Sequence, residues 1–551
     1  MFYSLLDRKW IVCKSKRLNG TYLQIGYRNH GTNSYGTRFS IGFLEKYQEH
    51  NENALEIIKD IVSKFSITAT KEEIIDEINK KLKNSSQVKN EFIEKYKGYE
   101  IIEKLIDYFD IFNDCKVTKS VSLTTTVKQM IFQRIKDPKS ILGTCNEMKE
   151  HNLKTFSKNS FYRALEYISD NRNEILKNIN AKLMNDFKRN VEVIWFDSTI
   201  TYFETFARNA MKMPGYSKDG KFKEDQMVIG MATDINGIPL YYKVFPGNTA
   251  DSSSFIPFIV ELAKIYNIKK VTIVADRGMW TNANIRFLED KNFYYIISYR
   301  LKSATKDFKN FVLNQDNYQT NNEGLRYKTR EVDSLFKKAR FNGHTKKQII
   351  TYSDKRAKKD FEDRKILIDN FYKKATNGVV NYTDLVGSKK CRFYKASNKN
   401  GYYLLDHEKI EKDQQFDGYY VYETNRLDLS EKDVINFYAR QWQIEENFRT
   451  LKGTLELRSI YLQTWKHIEG YICLCFLALV LLKFLVYQIN YSTGLEDKNK
   501  FTINKIVKII QNVKVLKHYS EETLIKSIKI KNASINEHWS NYEIIKKILN
   551  I

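Results

Sequence analysis

Two aspartates and a glutamate stand where this chain could do chemistry. Asp197 closes the apolar run VIWFD, Asp276 closes VTIVAD, and Glu445 lies inside the amphipathic stretch EKDVINFYARQWQIEENFRTLKG. Apolar, β-branched runs of that kind read as buried strands. If the two strands are neighbours, their terminal carboxylates come close enough to repel one another unless a cation lies between them. With Glu445 as a third oxygen ligand, such a cluster suits two Mg2+ or Mn2+ ions about 3.5 to 4 Å apart, which activate an attacking oxygen and stabilise a leaving one in phosphodiester displacement. Each residue alone is ordinary: an aspartate before Ser198-Thr199 or Arg277-Gly278 serves a turn, and a helical glutamate faces water. The conjunction of the three on one topology carries the reading.

The elements that must position them follow from Val191 onward. VEVIWFD, QMVIGMATD and IPLYYKVF read as strands, the last two joined at Asn236-Gly237, a strong hairpin signal. Then come a helix over Ser252 to Tyr266, the strand KKVTIVAD, a helix from about Asn282 to Asp290, and the strand FYYIISY. An antiparallel meander followed by two parallel strands makes a mixed sheet with helices on its faces. That order, β-β-β-α-β-α-β, is the ribonuclease-H-like topology, in which the first and fourth strands lie side by side. Residues Leu301 to Thr424 break into short strands (LRYKTREV, QIITYS, GYYLLDH, DGYYVYETN) among Lys-rich stretches, which predicts an inserted, mainly β domain.

After that insertion one helix is predicted from the cap Ser430, with Asp433 as a loose capping box, to Gly453. Tyr438, Glu445 and Lys452 are spaced by seven and stack on one face, with Gln441 and Arg449 nearly on it. Phe437, Ile444, Phe448, Leu451 and Leu455 form an adjacent stripe that would anchor the helix to the sheet. The polar face would set phosphate contacts on both sides of a cleavage point. Trp280, four residues after Asp276, offers either base stacking or a core contact, and Pro246-Gly247-Asn248-Thr249 a DNA-facing or a plain connecting turn.

Composition agrees with a nucleic-acid partner. Lys plus Arg number 91 against 66 Asp plus Glu, and the net charge of +25 favours a polyanion, with a membrane surface second. Six cysteines without a C-x-x-C pair and eight unclustered histidines exclude a disulfide scaffold and a zinc ribbon. The first residues carry no secretory signal, so the expected location is the cytoplasm. GYICLCFLALVLL has 13 uncharged residues, short of the roughly 20 a membrane span needs, and predicts a buried core helix. At 551 residues the chain should hold several units. Their expected bounds are a small β-rich element over 1–50, a helical DNA-binding region over 51–188, a catalytic domain over 189–300 and 427–490 split by a β-rich insertion over 301–426, and a basic helical C-terminal region over 491–551. Ser157 to Ile168 (SKNSFYRALEYI) could enter a DNA groove or put Phe161, Leu165 and Ile168 in a core.

YARQWQIEENFRTLK resembles the Tyr-x2-Arg-x3-Glu-x6-Lys signature of the DDE transposases of bacterial insertion sequences, in the insertion-sequence-four superfamily. The blocks Gly215 to Phe255, VADRGMW (Val274 to Trp280) and Arg458 to Leu482 are similar to that group's blocks in the same order, so the resemblance covers about Val191 to Lys483. It implies a ribonuclease-H-like catalytic domain with a β insertion before the third acid. It also implies Asp197, Asp276 and Glu445 as ligands of two Mg2+ or Mn2+ ions, and Tyr438 and Lys452 as DNA contacts. The chain departs at one position: Gln441 stands where the signature has Arg, with Arg440 one residue earlier and about 100° round the helix. Arg449 is then the candidate substitute.

The expected function is metal-dependent cleavage at the ends of a mobile element and strand transfer into target DNA. The expected partners are double-stranded DNA, both terminal inverted repeats and target, and a second copy of the chain on paired ends, with no membrane. The rivals are a ribonuclease-H-like nuclease without strand transfer and a non-catalytic DNA-binding remnant.

Overall fold

A computed structural model of the chain describes residues 10–17, 20–28, 35–49, 53–66, 68–85, 90–113, 115, 121–150, 157–203, 209–215, 224–321, 324–334, 344–376, 378–381, 393–397, 401–458, 460–496, 499–520, 523–531 and 535–551. The first nine residues, Cys391, residues 216–223 of the Gly215 to Phe255 block and Ser459 lie outside the described residues.

The chain divides into two units, residues 1–95 with 514–530, and residues 96–513 with 531–551. In the first, the strands Ile11–Arg17, Gly20–Arg28 and Tyr35–Phe43 form an antiparallel sheet. The helices Ala54–Lys64 and Lys71–Ser85 share its core, around Trp10, Leu23, Ile25, Ile58 and Ile78. The helices after residue 50 therefore pack with the N-terminal strands, where the sequence predicts a boundary. A second sheet pairs Asn90–Tyr96 with Lys514–Ser520 and Thr523–Lys529. The predicted all-helical 491–551 thus contains a β-hairpin. Its strands, KVLKHYS and TLIKSIK, carry their apolar residues at the second, third and sixth positions, a spacing that does not alternate and reads as readily as one face of a helix; their pairing with each other makes them strands.

The second unit is built on a nine-stranded sheet. Its strands in chain order are β1 (Val193–Tyr202), β2 (Gln226–Thr233), β3 (Pro239–Pro246), β4 (Thr272–Ala275), β5 (Tyr294–Ser298), β6 (Gln319–Thr320), β7 (Arg326–Asp333), β8 (Thr345–Tyr352) and β9 (Tyr419–Thr424). Across the sheet they run β6-β7-β8-β9-β5-β4-β1-β2-β3. β1, β2 and β3 are an antiparallel meander, while β4 and β5 run parallel to β1. Every residue of β2 is buried, as a strand covered on both faces must be. The β2–β3 turn needs its glycine, for Gly237 has φ +74°.

Residues 301–426 are not a sheet apart. β9 pairs with β5 and β8, so these strands continue the main sheet across an edge that β5 would otherwise leave open. What stands aside is the helix Asp354–Tyr372 and a three-stranded sheet of Val380–Asn381, Tyr394–Ala396 and Tyr402–Leu405, sharing a small core of Phe371, Val380, Phe393 and Leu405.

The helices that matter below are α1 (Val121–Lys136), α2 (Lys158–Asp170), α3 (Arg172–Phe187), α4 (Asp251–Tyr266), α5 (Asn282–Asp290), α6 (Glu431–Ala439), α7 (Trp442–Arg449) and α8 (Trp465–Thr493). α8, 29 residues, is long and apolar enough to cross a membrane, but 83% of its most apolar window is buried. It packs against α1, α2 and β3 as a core helix. At Gly470 the backbone of α2 comes so close that a Cβ would lie 2.1 Å from the Leu165 carbonyl oxygen, so only glycine fits that crossing. On α2, Phe161, Leu165 and Ile168 are fully buried, which makes this a core helix and not a free DNA-reading one.

Candidate active site

β1 and β4 are parallel neighbours in which Phe196 is the register partner of Ala275. Asp197 and Asp276 are therefore the next residues on adjacent strands, with backbones about 4.8 Å apart in the hydrogen-bonding direction. β1 continues past Asp197, which faces Met231 of β2, whereas the chain leaves the sheet at Asp276 into a tight turn over Arg277–Met279. Asp197 Oδ1 accepts from the Ser198 amide at 2.7 Å. The Ser198 hydroxyl donates to Asp251 Oδ1 at 2.6 Å, so a further carboxylate, from the first turn of α4, stands at this end of the sheet. Sequence reasoning missed it because an acid in a helix's first turn is commonplace.

The predicted single helix over 430–453 is broken. The cap forms as expected, with Ser430 accepting from the Asp433 amide, but α6 ends at Ala439, α7 begins at Trp442, and a π-helical turn follows over Thr450–Thr454. The cause lies in β1: the Trp195 indole donates to the Phe437 carbonyl at 2.8 Å. Arg440 and Gln441 then bond back three residues, to Phe437 and Tyr438. A side chain that takes a ladder carbonyl breaks the repeat there.

The break separates what the spacing of seven would stack. Tyr438 stays beside Asp276, donating to its Oδ1 at 3.2 Å. Burial first, then the Tyr420 and Asp276 groups beside it, holds the Tyr438 phenol far above its usual range, so it keeps its proton to give. Glu445 is exposed on α7, one turn after Gln441. Lys452, on the π turn, lines a pocket of about 240 Å³ with Ser198, Thr199, Thr249, Asp251 and Arg458. Among the described residues no three Asp, Glu, His or Cys side chains stand close enough to hold a metal. The fold brings Asp197 and Asp276 together and seats the Glu445 helix against the same strand, while the two aspartates spend hydrogen bonds on Ser198 and Tyr438. An oxygen-only donor set of this kind fits a hard divalent cation such as Mg2+ or Mn2+ better than zinc.

Gln441, predicted on the DNA-facing side, points inward. It is 7% exposed, its amide donates to the Phe196 carbonyl at 3.3 Å, and its Oε1 has no hydrogen-bond partner among the described residues. Arg440 reaches the Ile235 carbonyl on the β2–β3 turn at 3.3 Å, and Arg449 is exposed. Gln441→Arg should therefore not restore a phosphate contact. Forcing a guanidinium into this site is expected to cost about 1 to 3 kcal/mol, seen as a lower unfolding midpoint with no gain in cleavage. Trp280 also faces the protein: its indole donates to Glu423 Oε1 at 3.3 Å and its ring lies edge-on to Tyr299. The turn after β3 is closed by Thr249 bonding back to Pro246 and joins strand to helix.

The sequence family of the transposase DDE domain matches residues 190–481, more than half of the chain, a span that takes in β1 to β9, both aspartates and Glu445. The chain belongs to the DDE transposase family. The transposase is thus a DNA-binding polynucleotidyl transferase of transposition, and enzymes of this family use divalent metal ions. No curated protein sequence matches it. Among solved structures, it is similar to a piggyBac transposase synaptic complex with hairpin DNA, at 9% identity over 75% of this chain and 77% of that one, TM-score 0.38. It is also similar to a pre-cleavage Mos1 transpososome, at 10% identity over 46% of this chain and 76% of that one, TM-score 0.15.

Proposed function

We propose that this transposase cleaves the ends of its own mobile element and transfers the freed 3′-hydroxyls to target DNA at a single site, with Asp197, Asp276 and Glu445 holding Mg2+ or Mn2+, two ions. The observation that carries this is the register of β1 and β4, which sets Asp197 of β1 beside Asp276 at the exit of β4. The metal, when bound, supplies Lewis-acid stabilisation of the attacking and leaving oxygens. The residues of the chain do the rest. Tyr438 fixes the Asp276 carboxylate, Lys452 offers a cation to a phosphate near the pocket beside Ser198, and Arg449 stands exposed one turn after Glu445 for the same purpose. In this reading the five strands β1 to β5 form a ribonuclease-H-like core, and the chain is a member of the insertion-sequence-four group. Residues 51–188 and the Lys-rich surfaces bind the terminal inverted repeats, two copies pair the two ends, and the protein works at the nucleoid in the bacterial cytoplasm.

The test is a labelled duplex carrying the element's flanking ends, incubated with Mg2+, Mn2+ or EDTA. Metal-dependent cutting at the element boundary together with joined products is the expected result. Cutting that never yields joined DNA would make this a nuclease, and binding without cutting in any metal a non-catalytic remnant. Binding itself should weaken steeply with salt, by the counterion release that phosphate contacts produce.

A further inference from the structure

β9 holds the exit of β4 from both faces of the sheet. Successive residues of a strand point to opposite faces, and here both faces are used. On one face Tyr420 donates its hydroxyl to Tyr438 at 2.9 Å, and Tyr438 passes its own to Asp276 Oδ1 at 3.2 Å. The Arg356 guanidinium lies 4.2 Å over the Tyr420 ring, and Tyr422 packs edge-on to Tyr438. On the other face Glu423 accepts from the indole of Trp280, which ends the short turn that starts at Asp276. Glu423 is wholly buried, 0% exposed, and it is held by Lys346 at 3.0 Å and Gln348 at 2.7 Å, both from β8. The buried Glu423–Lys346 pair contributes little net stability, for apolar residues of similar size in place of both would serve the fold as well. Lys346 on Oε1 and Gln348 on Oε2 instead fix the carboxylate with Oε1 opposite the Trp280 indole.

We infer that Tyr420 and Glu423 are positioning residues for Asp276: Tyr420 orients the carboxylate through Tyr438, and Glu423 orients the turn that carries it through Trp280. The inference rests on Asp276 being a metal ligand, and it gives residues 301–426 a task in catalysis, since β9, the innermost of the four strands they contribute to the sheet, is the one that aims the second acid. Tyr438 is then committed to the protein side of the site and not to DNA.

The experiment uses the full chain with Tyr420→Phe, which keeps the ring and removes the donor, and Glu423→Gln, which keeps the shape and removes the charge. Three quantities are read: Mn2+ affinity without DNA, by titration calorimetry or electron paramagnetic resonance; duplex affinity; and cleavage rate at saturating DNA. For Tyr420→Phe the Mn2+ affinity and the cleavage rate should each fall about tenfold, the usual effect of losing an outer hydrogen bond to a metal ligand, with duplex affinity unchanged within about twofold. Glu423→Gln should move the same two quantities in the same direction. Asp276→Asn is run beside them. If it is inert and both positioning variants match the wild type in Mn2+ affinity and rate, the inference fails and the acid assignment stands. If Asp276→Asn binds Mn2+ and cleaves like the wild type, both fail. A loss of duplex affinity equal to the loss of rate would make Tyr420 and Glu423 DNA-side or merely structural residues and overturn the inference.

Discussion

Glu445→Ala is expected to abolish metal-dependent cleavage, by on the order of 10³-fold or about 4 kcal/mol of barrier, and to leave duplex binding at low salt intact. Asp197→Ala and Asp276→Ala are expected to do the same. Glu445 is the cleanest of the three because its side chain is exposed on α7 and takes no part in the core. Its loss should therefore leave the unfolding midpoint unchanged. Asp197 and Asp276 each accept a hydrogen bond within the fold, from the Ser198 amide and the Tyr438 hydroxyl, so their variants carry a small structural change as well. Gel-resolved cleavage of end-labelled duplex in Mg2+ and Mn2+ measures the effect. More than about a tenth of wild-type nicking in any one of the three variants would remove that residue from the acid set.

The first five strands were legible in the sequence because their signals are local. VIWFD and VTIVAD are apolar runs ending in an acid, and Asn236-Gly237 marks its own turn. Adjacency of β1 and β4 then follows from connection rules. The helix of Glu445 was legible as a helix but not as a broken one, for its interruption is caused by Trp195, 242 residues before the Phe437 carbonyl it captures. No periodicity within 430–453 carries that information. The same holds for β9. DGYYVYETN reads as a strand, yet only its pairing with β5 and β8 makes it part of the catalytic sheet, and only then can Tyr420 reach Tyr438 and Glu423 reach Trp280. Gln441 was placed outward by a helical wheel that assumes no break. The hairpin at Lys514–Lys529 was a different kind of miss: in both strands the apolar residues fall at the second, third and sixth positions, a spacing that fits a helix face, so only the pairing of the two strands reveals them.

The largest effect on stability is expected at Arg189, far in sequence from Glu445 but close to what seats it. Arg189 Nε lies 2.9 Å from Asp234 Oδ2, and both side chains are 2% exposed. Arg189 also donates to the carbonyls of Ile238 and Pro239, while Asp234 Oδ1 accepts from the amides of Asn236 and Ile238. The pair thus pins the β2–β3 turn from within. Onto the same turn α7 docks, through Asn447 donating to the Gly237 carbonyl at 3.0 Å, and Arg440 reaches Ile235 beside it. Arg189→Met strands a buried carboxylate and should cost about 3 to 5 kcal/mol, read by urea unfolding of the full chain. Adding Asp234→Asn should return about 1 to 2 kcal/mol of that loss, because the charge is gone while an oxygen still accepts from the turn amides. At a temperature where Arg189→Met remains folded, cleavage should fall more than duplex affinity, since the seat of Glu445 is loosened and the DNA-binding surfaces are not. A single-variant loss below about 1 kcal/mol would mean that the pair is solvated in a way its burial contradicts, and the turn would have to be held by its backbone bonds alone.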